Sequence, residues 1–183
     1  MSDPSSFPTL HTANFLLRQI AQDDLADIFR GLSDPRVTAY YGVSYATQEA
    51  AQMQMQWYRA IEQQHSGIWW AICRPDAPAA LLGTCGFYDC DRENRNVDMG
   101  YWLLPEHWGT GVMRESLPAI LSHAFSQMRL HRVECEVEPA NLASGRLLRG
   151  LGFVHEGRRR QVAFKNGSFV DMEYYALLEH ELR

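Results

Sequence analysis

One stretch, VDMGYWLLPEHWGTGVMRES at residues 97–116, constrains the fold of this chain more than any other. It runs from an apolar segment typical of a strand, through Gly109 and Gly111, into a segment with the spacing of an amphipathic helix. Glycines let the backbone turn sharply there, and the unpaired N–H groups of a helix start attract anions. These residues favour a phosphate-binding loop and a plain turn equally, because the third glycine of a dinucleotide fingerprint is replaced by Arg114.

Composition limits the classes of protein to which the chain can belong. Its 183 residues suffice for a single domain, and 46% hydrophobic with 21% charged residues is typical of globular proteins. The net charge of −5 argues against a dedicated nucleic-acid-binding protein. No signal-peptide pattern and no membrane-length apolar run is found, so we expect a cytoplasmic protein. The four cysteines lack CxxC spacing and are expected to be buried free thiols without metal.

The predicted elements follow the order β-α-α-α-β-β-β-α-β-α-β-β. Residues 131–138 alternate between apolar and charged side chains, which is typical of a strand with one buried face. Strand hairpins beside one helix-connected crossover predict an α+β fold with a mixed, mostly antiparallel sheet flanked by helices. We expect one domain over residues 1–183, a loose tail at residues 1–10 and an Asn-Gly turn at 166–167.

Four segments, taken in order and spacing, carry a resemblance to a known family: LRQI, SDPRVTAYYG, VDMGYWLLPEHWGTGVMRES and NLASGRLLRGLGFVHEG. They resemble the GNAT acyl-CoA N-acyltransferase superfamily, in the branch of the bacterial ribosomal-protein N-terminal (alanine/serine) acetyltransferases, from about residue 14 to residue 179. The resemblance implies splayed central strands, acetyl-CoA as the acyl donor and no metal. It also implies transfer of acetyl to a primary amine, either a protein N-terminal α-amine or a small-molecule amine.

The same resemblance assigns the residues that would bind the cofactor. The backbone of the strand would pair with the pantetheine arm, the glycine loop would hold the diphosphate, and the side-chain amide of Asn141 would bind pantetheine while it caps a helix. The residues are Trp102, Leu103 and Leu104 on the strand, and Trp108, Gly109, Thr110, Gly111, Val112 and Met113 in the loop. Glu106 replaces the Gln or Arg that the family has there, so we expect its carboxylate to turn to solvent.

Two further residues resemble the family's acid–base groups. Asp98 stands where the family often has a glutamate that acts as general base, and Ser144 where the closest branch has a proposed general acid. Such groups are needed because the attacking amine must lose a proton and the leaving thiolate must gain or tolerate one. Asp98 is one methylene shorter than glutamate, so we expect a water to relay the proton. A solvent-facing strand residue and a small helix-packing serine are the alternative interpretations.

The acceptor is the least constrained part of the predicted function. Tyr40, Trp70 and Tyr88 are candidates for acceptor contact, although aromatic strand residues are more often core. The net negative charge of the chain favours a cationic amine as the acceptor. The alternatives are a catalytically weak CoA-binding sensor or partner protein, or an acyltransferase with another acyl group or with an aminoacyl-nucleotide or antibiotic acceptor. We expect no nucleic-acid or membrane partner, and a homodimer is compatible with the sequence.

Overall fold

An eight-stranded sheet organises the computed structural model, which describes residues 7–165 and 167–182. Its spatial order is β1-β2-β3-β4-β5-β6-β8-β7, and all neighbours are antiparallel except the parallel pair β5 and β6. The strands are β1 (Leu10–His11), β2 (Leu16–Gln19), β3 (Ile68–Arg74), β4 (Ala77–Asp91), β5 (Asn96–Leu103), β6 (Arg132–Val137), β7 (Val154–Lys165) and β8 (Ser168–Leu178). The predicted mixed, mostly antiparallel sheet is confirmed.

Five helices cover this sheet: α1 (Leu25–Ser33), α2 (Pro35–Thr38), α3 (Gln48–Gln63), α4 (Val112–Ser126) and α5 (Leu142–Gly150). Local sequence sets two of the starts. The Asp34 side chain accepts the Arg36 N–H at the start of α2, and the Thr47 hydroxyl accepts the Ala50 N–H in α3. Within the described residues, no helix combines the length and the apolar character needed to cross a membrane.

The two faces of the sheet carry separate hydrophobic clusters. On β3 the side chains of Trp69 and Ala71 pack with α1, α2 and α3, whereas Trp70 and Ile72 pack with α4 and α5. This division follows from the two-residue period of a strand, which sends successive side chains to opposite faces. The helices α1–α3 and α4–α5 therefore lie on opposite faces of one sheet.

The centre of the sheet opens between β5 and β6. These strands pair only from Asn96–Arg132 to Asp98–Glu134, yet β5 continues to Leu103 and β6 to Val137. Beyond Asp98 the two strands diverge and leave the facing backbone of β5 without a sheet partner. The expected splay of the central strands is confirmed, and it places a gap in the middle of the molecule.

Residues 7–10, predicted as part of a loose tail, are anchored on the sheet. The Phe7 ring packs edge-on against Trp70 at 5.8 Å between centroids, the Pro8 carbonyl accepts the Trp70 indole N–H at 2.7 Å, and Leu10 pairs with Leu17. Residues 1–6 of the predicted tail lie outside the described residues. So does Asn166 of the predicted turn, whereas Gly167 has the left-handed φ of +80° between β7 and β8.

Candidate functional site

Two cavities open where β5 and β6 diverge. The glycine-loop cavity, about 570 Å³, is lined by the end of β5, the start of α4 and parts of α2 and α5. The aromatic cavity, about 620 Å³, is lined by residues of the α2–α3 segment, α3, β4 and β6. Five residues line both cavities, and we call the place where they lie the junction: Tyr40, Tyr41, Tyr101, Asn141 and Ser144. A ligand in one cavity can therefore meet a ligand in the other at this junction.

The glycine loop has the backbone geometry of an anion site. Gly109 and Gly111 adopt left-handed φ values of +72° and +88°, which glycine reaches without strain. Gly111 is the N-cap of α4 and has no side chain to satisfy the first-turn N–H groups of Val112 and Met113. A Cβ at either glycine would have no heavy atom within 4 Å, so the space beside the loop is open. The geometry favours the phosphate-binding interpretation over a plain turn.

The remaining loop residues divide into those that line the cavity and one that closes the loop. Val112 and Met113 line the cavity with buried side chains, so their polar contribution is the backbone N–H. The half-exposed Trp108 also lines it, and its indole N–H donates to the Leu103 carbonyl at 2.9 Å. Thr110 does not line the cavity; its hydroxyl donates to the His107 carbonyl at 2.8 Å and ties the loop to itself. Arg114 adds positive charge to the lining, and Arg36 also lines it with its guanidinium paired to Asp34 at 2.6 Å.

Glu106 points away from the glycine loop. Its carboxylate accepts a hydrogen bond from the Arg30 guanidinium on α1 at 2.9 Å, with both side chains about half exposed. The negative charge is thus partnered outside the ring of backbone N–H groups. The expectation that this residue turns outward agrees with its position, and the structure adds Arg30 as its partner.

The backbone of β5 corrects the predicted pantetheine contacts. The Leu104 N–H donates to the Leu82 carbonyl at 2.9 Å, and bonded and non-bonded pairs alternate along an antiparallel ladder. Trp102, opposite Thr84, is therefore also bonded to β4. The structure thus contradicts free backbone groups at Trp102 and Leu104, although the Trp102 side chain lines the cavity. The backbone groups of Leu103 and Tyr101 face the gap instead.

At the junction, two hydroxyl groups form a close pair. The Ser144 hydroxyl and the Tyr101 phenol are 2.6 Å apart, and burial raises the pKa of Tyr101 far above its usual value, so the phenol stays protonated. Asn141 caps α5 by accepting the Ser144 N–H on its side-chain oxygen at 3.2 Å. The cap uses only the amide oxygen, so the amide nitrogen remains a donor for a ligand. The capping interpretation of Asn141 is confirmed.

No sequence pattern identifies Tyr101 as a partner of Ser144. The two residues are 43 positions apart, on a strand and a helix whose meeting depends on the whole fold. The alternation of β5 could have shown only that the Tyr101 side chain lies on the face opposite to Asp98 and Trp102.

Asp98 lies beside the aromatic cavity without lining it. It is half-buried on β5, directly opposite Tyr88, which does line the cavity. Burial, followed by the nearby charges of Glu134 and Glu136, raises the pKa of Asp98 to about 6. A carboxylate with this pKa changes its protonation state close to neutral pH, as a general base requires. Its position behind the cavity wall agrees with a proton relay through water.

The aromatic cavity combines aromatic walls with carboxylates. Among its lining residues in the described chain, none is Lys or Arg. The aromatic members are Tyr40, Tyr41, Tyr45, Trp57, Trp69, Tyr88 and Tyr101, and the acidic members are Asp89, Glu136 and Glu138. Aromatic faces and carboxylates both attract cations. The alternation at residues 131–138 put Glu136 and Glu138 on one face, and that signal could have identified them.

The three acceptor candidates do not lie together. Tyr40 and Tyr88 line the aromatic cavity, but Trp70 is fully buried on the opposite face of the sheet, with its indole N–H on the Pro8 carbonyl. The prediction for Trp70 is wrong because the strand period sends Trp69, not Trp70, to the cavity face. For the described residues, no group of three or more His, Cys, Asp and Glu side chains is arranged to hold a metal ion.

Comparisons with known proteins agree with this architecture. The model of the acetyltransferase (GNAT) domain family matches residues 14–154. The N-acetyltransferase YoaA of Bacillus subtilis (strain 168) is 37% identical over 174 residues, covering 94% of this chain and 98% of that protein. The ribosomal-protein-serine acetyltransferase of Escherichia coli (strain K12) is 31% identical over 98 residues, covering 52% and 54%. In fold, the chain is similar to the spermidine N-acetyltransferase of Vibrio cholerae, whose structure was solved with CoA and spermine. The TM-score is 0.81 at 20% identity, and the match covers 91% of this chain and 96% of that one.

Proposed function

This chain belongs to the GNAT acetyltransferase family, and we propose that it transfers the acetyl group of acetyl-CoA directly to the primary amine of a cationic acceptor. The acceptor is a small-molecule amine or a protein N-terminal α-amine, the two kinds that its spermidine and ribosomal-protein relatives are named for. One observation carries the proposal: two cavities of opposite charge meet at a hydrogen-bonded pair of hydroxyl groups.

The glycine-loop cavity takes the acyl donor. The diphosphate accepts hydrogen bonds from the N–H groups at the start of α4, supported by Arg36 and Arg114. The pantetheine arm lies along the part of β5 that faces the gap, at Tyr101, and reaches the Asn141 amide; the Leu103 carbonyl is already occupied by the Trp108 indole N–H. The thioester then lies at the junction, where the Leu103 N–H is available to the oxyanion of the tetrahedral intermediate.

Asp98 prepares the nucleophile. An ammonium group cannot attack a thioester, so the acceptor must first lose a proton. Asp98 takes that proton through a water from its place behind Tyr88. With a pKa of about 6 it is ionised at neutral pH and still basic enough to hold the proton briefly.

Ser144 and Tyr101 serve the leaving group. As the carbon–sulfur bond breaks, Ser144 donates its proton to the CoA thiolate and draws a replacement from the Tyr101 phenol, 2.6 Å away. The amine nitrogen, now bonded to the acetyl carbon, loses a second proton, which returns through water to Tyr101 and restores both hydroxyl groups. The products are the acetylated amine, CoA with a free thiol, and a proton that passes from Asp98 to solvent.

The aromatic cavity selects the acceptor. Its aromatic walls pack against the alkyl part of an amine, and Asp89 and Glu136 hold its positive charge near the solvent-exposed side. An acceptor with a second positive charge binds more tightly, because it interacts with both carboxylates.

The test is an acceptor screen that follows CoA release from acetyl-CoA. The panel contains polyamines, monoamines, aminoglycosides and short peptides with free N-termini, beside equally long neutral alcohols as blanks. We expect turnover with cationic amines only, and an increase in thermal stability with acetyl-CoA. Stabilisation by acetyl-CoA without turnover on any amine would instead indicate a CoA-binding sensor.

A pair of variants tests the acceptor cavity within the same screen. Glu136→Gln removes a charge that lines the aromatic cavity, and we expect KM for a cationic amine to rise about fivefold while acetyl-CoA affinity is unchanged. Glu93→Gln makes the same change at an exposed residue outside both cavities and should leave both constants unchanged. Equal effects of the two variants would show that only net charge matters and would contradict this role of Glu136.

A further inference from the structure

The chain contains a single lysine, Lys165, among its 17 lysine and arginine residues. Its side chain reaches from the end of β7 to Glu138, just after β6, and to Ala39, just after α2. The Lys165 Nζ donates to the Glu138 carboxylate at 2.5 Å and to the Ala39 carbonyl at 2.5 Å. Both charged side chains are mostly buried, at 22% exposed for Lys165 and 14% for Glu138.

The two partners of this ammonium lie at or next to the aromatic cavity. Glu138 lines the aromatic cavity. Ala39 directly precedes the junction residues Tyr40 and Tyr41, which line both cavities. The only lysine of the chain thus presents a primary amine to a carboxylate that lines the aromatic cavity, the cavity proposed for the acceptor.

We propose that Lys165 is a self-acetylation site, whose ε-amine accepts the acetyl group of acetyl-CoA bound to the same chain. The inference rests on the proposed function, because it uses the same donor and the same junction. The four-carbon stem of lysine lets the amine swing from the cavity wall toward the thioester. No arginine of the chain can compete, because a guanidinium does not lose its proton in a protein.

The chemical step balances with groups already in place. Glu138 accepts a proton from the Lys165 ammonium, to which it is hydrogen-bonded. The free amine attacks the thioester carbonyl, the carbon–nitrogen bond forms and the carbon–sulfur bond breaks. Ser144 protonates the thiolate and regains a proton from the newly bonded lysine nitrogen through water. Glu138 releases its proton to solvent, and the products are Nε-acetyl-Lys165 and CoA.

Acetylation would change the wall of the aromatic cavity. It removes the positive charge, so Glu138 is left mostly buried without its cation, and the tie from β7 to Ala39 weakens. Breaking one partner of a buried ion pair destabilises the folded state. We therefore expect the acetylated protein to melt at a lower temperature than the unmodified protein.

The experiment incubates the full-length protein with acetyl-CoA and no amine, followed by intact-mass analysis and peptide mapping. We expect one acetyl group on Lys165, at a rate that saturates with acetyl-CoA and does not depend on protein concentration. Lys165→Arg keeps the charge and should remain unmodified at this position. Glu138→Gln should slow the modification about tenfold or more, because it cannot take the proton. An excess of desulfo-CoA, which fills the donor site but cannot donate, should suppress it.

Several results would overturn the inference. An unmodified Lys165 in an enzyme that acetylates added amines would refute it and leave the proposed function intact. Acetylation of the unfolded chain, or of the folded chain with excess desulfo-CoA, as fast as that of the folded chain alone would show that Lys165 reacts with acetyl-CoA from free solution. A rate that rises with protein concentration would refute transfer within one chain. No stabilisation by acetyl-CoA and no CoA release with any amine would refute the proposed function itself.

Discussion

The two cavities are built in different ways. The glycine-loop cavity is formed largely by one continuous stretch, from Tyr101 to Arg114, and its polar groups belong mainly to the backbone. The aromatic cavity is formed by side chains that come from Tyr40 to Met172, across most of the chain. A site made of backbone depends on local conformation, whereas a site made of side chains depends on how distant elements pack.

The cavities also differ in charge. Arg36 and Arg114 line the glycine-loop cavity, and Asp89, Glu136 and Glu138 line the aromatic cavity. Under the proposed function, an anionic donor and a cationic acceptor would be attracted to separate places and would meet only at the junction. If this contrast is correct, variants on each side should affect one ligand and spare the other.

The largest effect is expected from Asp98→Asn, which removes the proposed general base on the acceptor side. We expect kcat/KM to fall about 100-fold at neutral pH, since general base catalysis is worth that much or more, while acetyl-CoA affinity is unchanged. In the parent enzyme, kcat/KM should rise with pH through about 6, the pKa of Asp98, and the variant should lose this rise. Unchanged turnover would remove Asp98 from the mechanism.

The same variant should gain stability. The pKa of Asp98 is about 6 in the folded protein against 3.8 for the free group, so folding favours the protonated form. Stability from this group is present below pH 3.8 and is lost as pH rises through about 6. Asp98→Asn should therefore raise Tm at pH 8 and not at pH 3.5, in the same buffers for both proteins.

Asp91→Asn is the control, for which we expect a change in Tm of the opposite sign. Hydrogen bonds from Asn94 lower the pKa of the exposed Asp91, so its contribution is present above its usual pKa and is lost as pH falls. We expect a small loss of Tm at pH 8 and unchanged turnover. A gain of Tm in both variants would contradict the specific role of burial at Asp98.

The second effect is at the junction. Tyr101→Phe removes the phenol 2.6 Å from Ser144, and we expect kcat to fall about 30-fold with little change in either ligand's affinity. If the two hydroxyl groups act as one donor, the double variant with Ser144→Ala should be no slower than the worse single variant. Additive losses would show that the two groups act independently.

The third effect is confined to the donor side. Gly111→Ala forces a side chain into a left-handed φ of +88°, and we expect acetyl-CoA affinity to fall about tenfold with KM for the amine unchanged. Gly150→Ala is the matched control, because this helical glycine has no positive φ and open space for a Cβ. Isothermal titration measures the acetyl-CoA affinity of both variants. An equal loss in the two variants would contradict the loop as an anion site.

The smallest effect is expected at Glu106, the residue that departs from the family pattern. Its carboxylate is partnered by Arg30 outside the loop, and exposed ion pairs contribute little. Glu106→Gln should therefore change acetyl-CoA affinity by less than about twofold. A large gain in affinity would show that the carboxylate repels the diphosphate and that the loop is not a pure backbone site.

The sequence predicted the donor side better than the acceptor side for a physical reason. The glycine spacing and the strand–helix order of residues 97–116 determine a local conformation, and the loop has that conformation in the structure. Two of the three predicted backbone positions, Trp102 and Leu104, were wrong, because the ladder register that pairs Leu104 with Leu82 is a contact between distant segments. A strand's own sequence does not contain its register.

The acceptor side could not be derived in the same way. Alternation divides Trp69 from Trp70, but it does not say which face carries a cavity and which is closed by α4 and the N-terminal segment. The chosen residue, Trp70, was the one on the closed face. The pair of Tyr101 and Ser144 likewise depends on the place where α5 crosses β5, which no local pattern encodes.

The junction of the two cavities has a consequence for inhibitor design. A single molecule that links the sulfur of CoA to an alkylamine through a short acetyl bridge would occupy both cavities and pass between Tyr101 and Asn141. Joining two ligands makes the second binding event intramolecular, which can raise affinity by about 100-fold to 10,000-fold over either half. Because the acceptor half alone would set preference among such conjugates, a series with different amines would identify the natural acceptor by affinity, without turnover.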